Sequence, residues 1–316
     1  MNQASFFSLG HKKKLRCERF LDEMDRVVPW DELIGMIEPQ YYKKKERPQG
    51  RKKTELEVML KIYFLQQWYN LSDPMMEDAI YDRNSFQKFL GIDILGQRVP
   101  DETTILNFRH FLEENRFPEK MFNRVNGILI KRGLIMRSGT IVDATIVNAP
   151  PSTKNSNGKR DPEMGSTQKG GKWYFGMKAH IGADTKGMVH TVKTTPANTA
   201  DVKMFDDLLH GDEKAVFGDK AYASKERKKK ARKKGIYWGV LDKGCRYRRF
   251  LSSSQHKRNR KISGVRGMVE HPFLVVKHLW GHAKTRYRGL MKNTSQLFTL
   301  FMLTNLYRAR RKLLLT

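Results

Sequence analysis

Cysteine is almost missing. Cys17 and Cys245 are the only two among 316 residues, far apart and in no paired spacing, which argues against a disulfide framework and against a cysteine-ligated zinc site. No run of eighteen apolar residues occurs, and the opening MNQASFFSLGHKKKLR lacks the apolar core of a secretory signal. Neither a membrane span nor export is expected. Acidic residues are scarce as well: Asp and Glu number 33 against 61 Lys and Arg, a formal net charge of +28. Such an excess goes far beyond what solubility requires and points to a polyanionic partner, met in the cytoplasm or on the chromosome. His-x-x-Arg, needed by a tyrosine recombinase, occurs nowhere.

What is present divides near residue 135. Up to there FLDEM, ELIGMI, ELEVMLKIYFLQQWY, FQKFL, TILNFRHFLEEN and MFNRVNGILIKRG carry apolar residues at helical spacing, with prolines between them, so residues 1–135 read as a helical module. From 138 the period drops to two. TIVDATIV, WYFGMKAHIGAD, MVHTVKTT, AVFGDKAY and IYWGVLD read as five strands, and the polar PPSTKNSNGKRDPEMGSTQKGG between the first two as a long loop. A short helix is expected from about Asp201 to His210, a basic one over SKERKKKARKKG, and another over RGMVEHPFLVVK. The mixed order predicts an α/β domain at 136–316, a sheet with helices on its faces.

Charges in the apolar segments single out candidates. Asp143 sits mid-strand and Asp219 at a strand end, and an acid there is costly to bury without a cation, a metal or several donors. In RGMVEHPFLVVK a helical period brings Arg266, Glu270 and Lys277 within roughly 40° of one another. Each feature alone reads equally as a solvated edge, a cap or a charged helix stripe. Pro272 allows a kink or a helix starting near Glu270. Lys178 and His180 fall on the strand face expected to neighbour Asp143, as DNA contacts or as hydrogen-bonded structural residues. Asn198 and Asp201 read as caps and Asp184 as a turn residue. LFTLFMLTNLY, too short to span a bilayer, reads as core closure or a dimer contact.

DATIVNAPPSTKN, RDPEM, KWYFGMKAHIGAD, GDKAY and RGMVEHPFLVVK, with PDETTILNFRHFLEEN and YRGLMKNTSQLFTLFMLTNLY, resemble bacterial insertion-sequence transposases of the D-D-E class, specifically insertion-sequence family five. The resemblance covers almost the whole chain. It implies an RNase H-like fold with a five-stranded mixed sheet, and an acidic triad at Asp143, Asp219 and Glu270. The family's third motif sets a tyrosine before Arg266, Glu270 and Lys277; here Ser263 holds its place. The implied enzyme binds the terminal inverted repeats of an element, hydrolyses phosphodiesters at its ends and joins the freed 3′ hydroxyl to target DNA. Two Mg2+ ions, with Mn2+ as a substitute, suit this chemistry because carboxylate oxygens are the ligands magnesium prefers. Asp143 would bridge the ions while Asp219 and Glu270 each hold mainly one, and Arg266 and Lys277 would hold phosphates. End recognition and dimerisation are expected of residues 1–135, and a homodimer or higher on double-stranded DNA. The alternatives are a plain nuclease on the same fold and a catalytically silent DNA-binding protein.

Overall fold

In the computed structural model the described residues are 14–43, 53–154, 158–244 and 250–315. Cys245 and the basic stretches 11–13 and 44–52 lie outside them. The helices α1 (Arg16–Val27), α2 (Trp30–Tyr41), α3 (Leu56–Tyr69), α4 (Asp73–Asp82), α5 (Asn84–Leu90), α6 (Glu102–Glu114) and α7 (Phe117–Lys131) precede the sheet. Their starts follow local chemistry. Ser72 Oγ accepts from the Met75 N–H, with Pro74 in the first turn of α4, and Asp101 Oδ1 accepts from the Thr104 N–H at 2.8 Å to open α6. Helix α3 is buried on nearly every side, Gln66 and Gln67 included, and forms the middle of this part.

The sheet holds β1 (Gly139–Asn148), β2 (Gly165–Lys169), β3 (Lys172–Asp184), β4 (Val189–Pro196), β5 (Ala215–Gly218) and β6 (Tyr237–Val240). Strands β1, β3 and β4 pair antiparallel, and β5 and β6 add in parallel on the other side of β1. That order is the one an RNase H-like sheet requires, with one strand more than the five expected. The extra strand, β2, lies in the stretch read as loop. Gly170 and Gly171, at φ +57° and +76°, make a two-residue turn of the kind that joins hairpin strands, and β2 then takes its backbone partners from β3. The helix expected from Asp201 to His210 is two short 3-10 turns, Asp201–Met204 and Asp206–Leu208. Asp184 is buried at a tight turn, its Oδ1 accepting from the N–H groups of Lys186 and Met188.

Helix α8 (Lys225–Lys233) lies between β5 and β6, and α9 (Ser253–Arg266), α10 (Glu270–Leu274) and α11 (Leu290–Leu313) follow β6. A 3-10 turn at Gly267–Val269 joins α9 to α10, and a π turn at Val275–Leu279 follows. Pro272 has no N–H to give the carbonyl of Met268. That carbonyl instead lies against the backbone of Gly187 (φ +75°), where a Cβ would come within 2.3 Å of it.

One hydrophobic core runs through both parts of the chain, from Leu21 and Phe64 to Ile181 and Leu303. Polar bonds stitch the same seam. Asn305 Nδ2 donates to Asn126 Oδ1 at 2.8 Å while its Oδ1 accepts from the Val189 N–H at 2.9 Å, and the hydroxyls of Tyr63 and Thr299 meet at 2.9 Å. LFTLFMLTNLY forms the buried middle of α11, closing this core. Among the described residues no helix is long and apolar enough to cross a membrane.

Candidate active site

Strand β1 carries the first acid into the sheet. Its last parallel pair with β5 is Val142 with Gly218, so the next residues, Asp143 and Asp219, stand side by side where β5 ends. Asp219 caps the 3-10 turn Lys220–Tyr222, its Oδ1 accepting from the Lys220 N–H at 2.6 Å. Asp143 Oδ1 accepts from the Ala144 N–H at 2.8 Å. Burial pushes the Asp143 carboxyl up to about 6; the Ala144 N–H and the Arg266 guanidinium oppose this, the charge of Asp219 adds to it, and Lys169 opposes it.

The late helices bring the rest. Arg266, the last residue of α9, reaches Asp143 Oδ2 at 3.2 Å with one nitrogen and Glu270 Oε1 at 3.4 Å with the other. The 3-10 turn leaves the four-residue step from Arg266 to Glu270 intact, so the charged stripe survives the break at Pro272. Glu270 keeps a side chain 60% exposed, while Asp143 and Arg266 are about 20% exposed. Lys277 Nζ donates to Thr145 Oγ1 at 2.7 Å. Burial, with the nearby Lys169 adding, pushes this amine down to about 8.

Two expected residues lie elsewhere. Directly opposed residues on antiparallel strands share a face, and Asp143 opposes Ile181, whereas His180 opposes Ala144 and Lys178 opposes Ile146. Lys178 and His180 are therefore on the other face of the sheet from Asp143, a correction to the expected facing that follows from the register. There Lys178 Nζ sits 2.9 Å from Asp201 Oδ1 and donates to the Thr199 carbonyl at 2.7 Å. His180 is fully buried, its Nε2 within 2.8 Å of Thr195 Oγ1. Burial pushes it down to about 4, so it carries no charge to offer a phosphate at neutral pH.

Two residues the sequence reading passed over belong to the site's surroundings. Lys169, at the end of β2, acts electrostatically on both Asp143 and Lys277; its strand had the composition of a loop. Tyr222 is buried, its hydroxyl has no hydrogen-bond partner among the described residues, and the charges of Asp143, Asp201 and Asp219 all bear on it. Its place in GDKAY, three residues after Asp219, was the available signal.

Among the described residues, and as the side chains stand, no three His, Cys, Asp or Glu side chains are gathered closely enough to hold a metal ion; the Arg266 guanidinium lies between Asp143 and Glu270. The donor set nevertheless fits a hard divalent cation. Asp143, Asp219 and Glu270 offer only carboxylate oxygen, and two adjacent acids, one of them desolvated, favour a cation beside them.

The family described as Transposase DDE domain matches residues 135–306, more than half of the chain, and that described as Transposase domain (DUF772) matches residues 10–111. Among solved structures the chain is similar to one in the Mos1 strand transfer complex, at 14% identity over 77% of this chain and 82% of that one, with a TM-score of 0.20. It is also similar to the Mos1 transposase in its paired-end complex with the left transposon end, at 12% identity over 78% and 83%, with a TM-score of 0.19.

Proposed function

The chain belongs to the DDE transposase family, and from that premise we propose that Asp143, Asp219 and Glu270 are its catalytic acids. It is a DNA transposase, an enzyme that cuts DNA and transfers strands, of a family that generally uses divalent metals. We further propose that these three carboxylates would hold two Mg2+ ions, replaceable by Mn2+, through their oxygens. When bound, such ions activate the attacking oxygen and stabilise the leaving one. The observation that carries the reading is the placement of Asp143 beside Asp219, with Glu270 tied to the same point through Arg266.

The remaining roles belong to the chain's own side chains. Arg266 holds Asp143 and Glu270 in place and has donors left for a phosphate oxygen. Lys277, fixed on Thr145, offers a partly desolvated charge to the phosphate next to the cut. Lys178 and His180 serve the fold, anchoring the segment at Asp201 and β4. Water and then the freed 3′ hydroxyl are the attacking groups, so no Ser or Tyr nucleophile is required. Residues 1–135 are proposed to read the terminal inverted repeats, since helices suit the major groove, with the homodimer or a higher assembly forming on DNA. Assignment to insertion-sequence family five rests on the quoted motifs.

The purified chain, given a duplex bearing the element's end and Mg2+, should yield strands ending in a 3′ hydroxyl and then joined products. Chelation should stop both. Nicking without joining would favour a plain nuclease, and no metal-dependent cutting a silent DNA-binding protein.

A further inference from the structure

Gly165–Lys169 and Lys172–Asp184 form a hairpin whose two sides differ. Lys169 opposes Lys172 directly, and Gln168 opposes Trp173, as Ser166 does Phe175. Like charges in direct opposition destabilise a hairpin, and neither lysine has an ion-pair partner among the described residues. Lys169 also adds its charge beside Lys277. Lys169 thus lies close enough to act on both Asp143 and Lys277, with Lys172 facing it across the strand pair.

The other side is aromatic. Trp173 is 73% exposed although it stands in a paired strand. It lines a pocket of about 570 Å³ together with Phe175, Ser166, Arg160, Asn148 and Lys284. The Arg160 guanidinium lies 5.4 Å from the centre of the Phe175 ring, and its Nε donates to the Pro151 carbonyl at 2.8 Å. Lys284 is held there by a backbone bridge to Asn148, the last residue of β1. The pocket is therefore built on the same strand that carries Asp143. An open aromatic face rimmed by cations, at the far end of the strand that carries Asp143, suits a nucleotide: the ring stacks a base and the cations take its phosphates.

We propose that this hairpin is a DNA-strand site, at which phosphates lie on Lys169 and Lys172 and one unstacked nucleobase is seated on Trp173 in the pocket beside Arg160 and Lys284. The proposal rests on the transposase reading for the identity of the polymer. The site adds a base-dependent contact to a surface whose other contacts depend on charge alone.

The test is binding of the full chain, without divalent metal so that nothing is cut, to a short labelled oligothymidylate and to an abasic strand of equal length. Wild type should favour the strand with bases by roughly 5- to 150-fold, the range that stacking of one base supplies. W173L should lose that preference with abasic binding unchanged, and W173F should keep most of it. K169Q with K172Q should weaken both strands alike and reduce the salt dependence by about two charges. Equal affinity of wild type for the two strands, or a full preference retained in W173L, overturns the base site. Salt dependence unmoved by the lysine variants overturns the phosphate half. Matching melting temperatures establish that the variants fold. Because no cutting is read, failure here leaves the acid triad standing, and D143N, which should abolish cutting, should leave this base preference intact.

Discussion

The two faces of β1 and β3 carry much the same residue types and treat them differently. On one, Lys178 is closed into a local pair with Asp201 and the Thr199 carbonyl, and His180 is buried against Thr195. On the other, Asp143 and Asp219 stand adjacent, Arg266 divides itself between two acids, and Glu270 remains mostly in water. Charge in a strand is not by itself a sign of function. A charge whose partners come from its own neighbourhood supports the fold, whereas one that depends on residues a hundred positions away and is still short of partners marks a site.

Substitution should separate the faces. D143N or E270Q should lower Mg2+-dependent strand cutting by about a thousandfold or more, since removing one of the carboxylates proposed to hold the ions takes away several kcal/mol of stabilisation. K178M should change cutting per folded molecule only a few-fold. A product assay on an end-bearing duplex reads both, and equal losses would erase the distinction. Acidity offers a second separation. Because the folded-state pKa of Asp143 is raised to about 6, its effect on stability is most favourable below the ordinary carboxyl value near 4 and is lost as pH climbs through 6. The stability difference between D143N and wild type in metal-free buffer should therefore shift in the variant's favour by about 2 kcal/mol from pH 4 to pH 8. A difference independent of pH would mean that the carboxyl is not desolvated.

On the closed face, K178M should cost about 2 kcal/mol of stability by leaving Asp201 without its cation, measured by denaturant unfolding, with Mg2+ affinity unchanged. The smallest effect concerns Lys277. K277Q should reduce the salt dependence of DNA binding by about one charge. Wild type should approach the variant above pH 8, where the amine, pushed down to about 8, gives up its proton.

Much of this was legible in the chain, for a physical reason. Alternation in TIVDATIV and the apolar run in AVFGDKAY follow from burying one or both sides of a strand, so the strands bearing Asp143 and Asp219 could be placed. The four-residue step from Arg266 to Glu270 survived the interruption at Pro272 because a 3-10 turn preserves the direction of the chain. Register was not legible. A shift of one residue exchanges the faces of a strand, and nothing in WYFGMKAHIGAD says which face of β1 it meets, so Lys178 and His180 were put on the wrong side. GSTQK has little strand preference of its own and owes its conformation to β3, which hid both the sixth strand and Lys169.

The seam through Asn126, Val189 and Asn305 also limits how such proteins can be rebuilt. Replacing residues 1–135 with a helical segment that does not present an amide at position 126 and a matching apolar surface would leave Asn305 and α11 without their partners, so such a chimera should melt early. The helices before the sheet are thereby free to vary on their outer surfaces but not at the faces packed against α11 and β4.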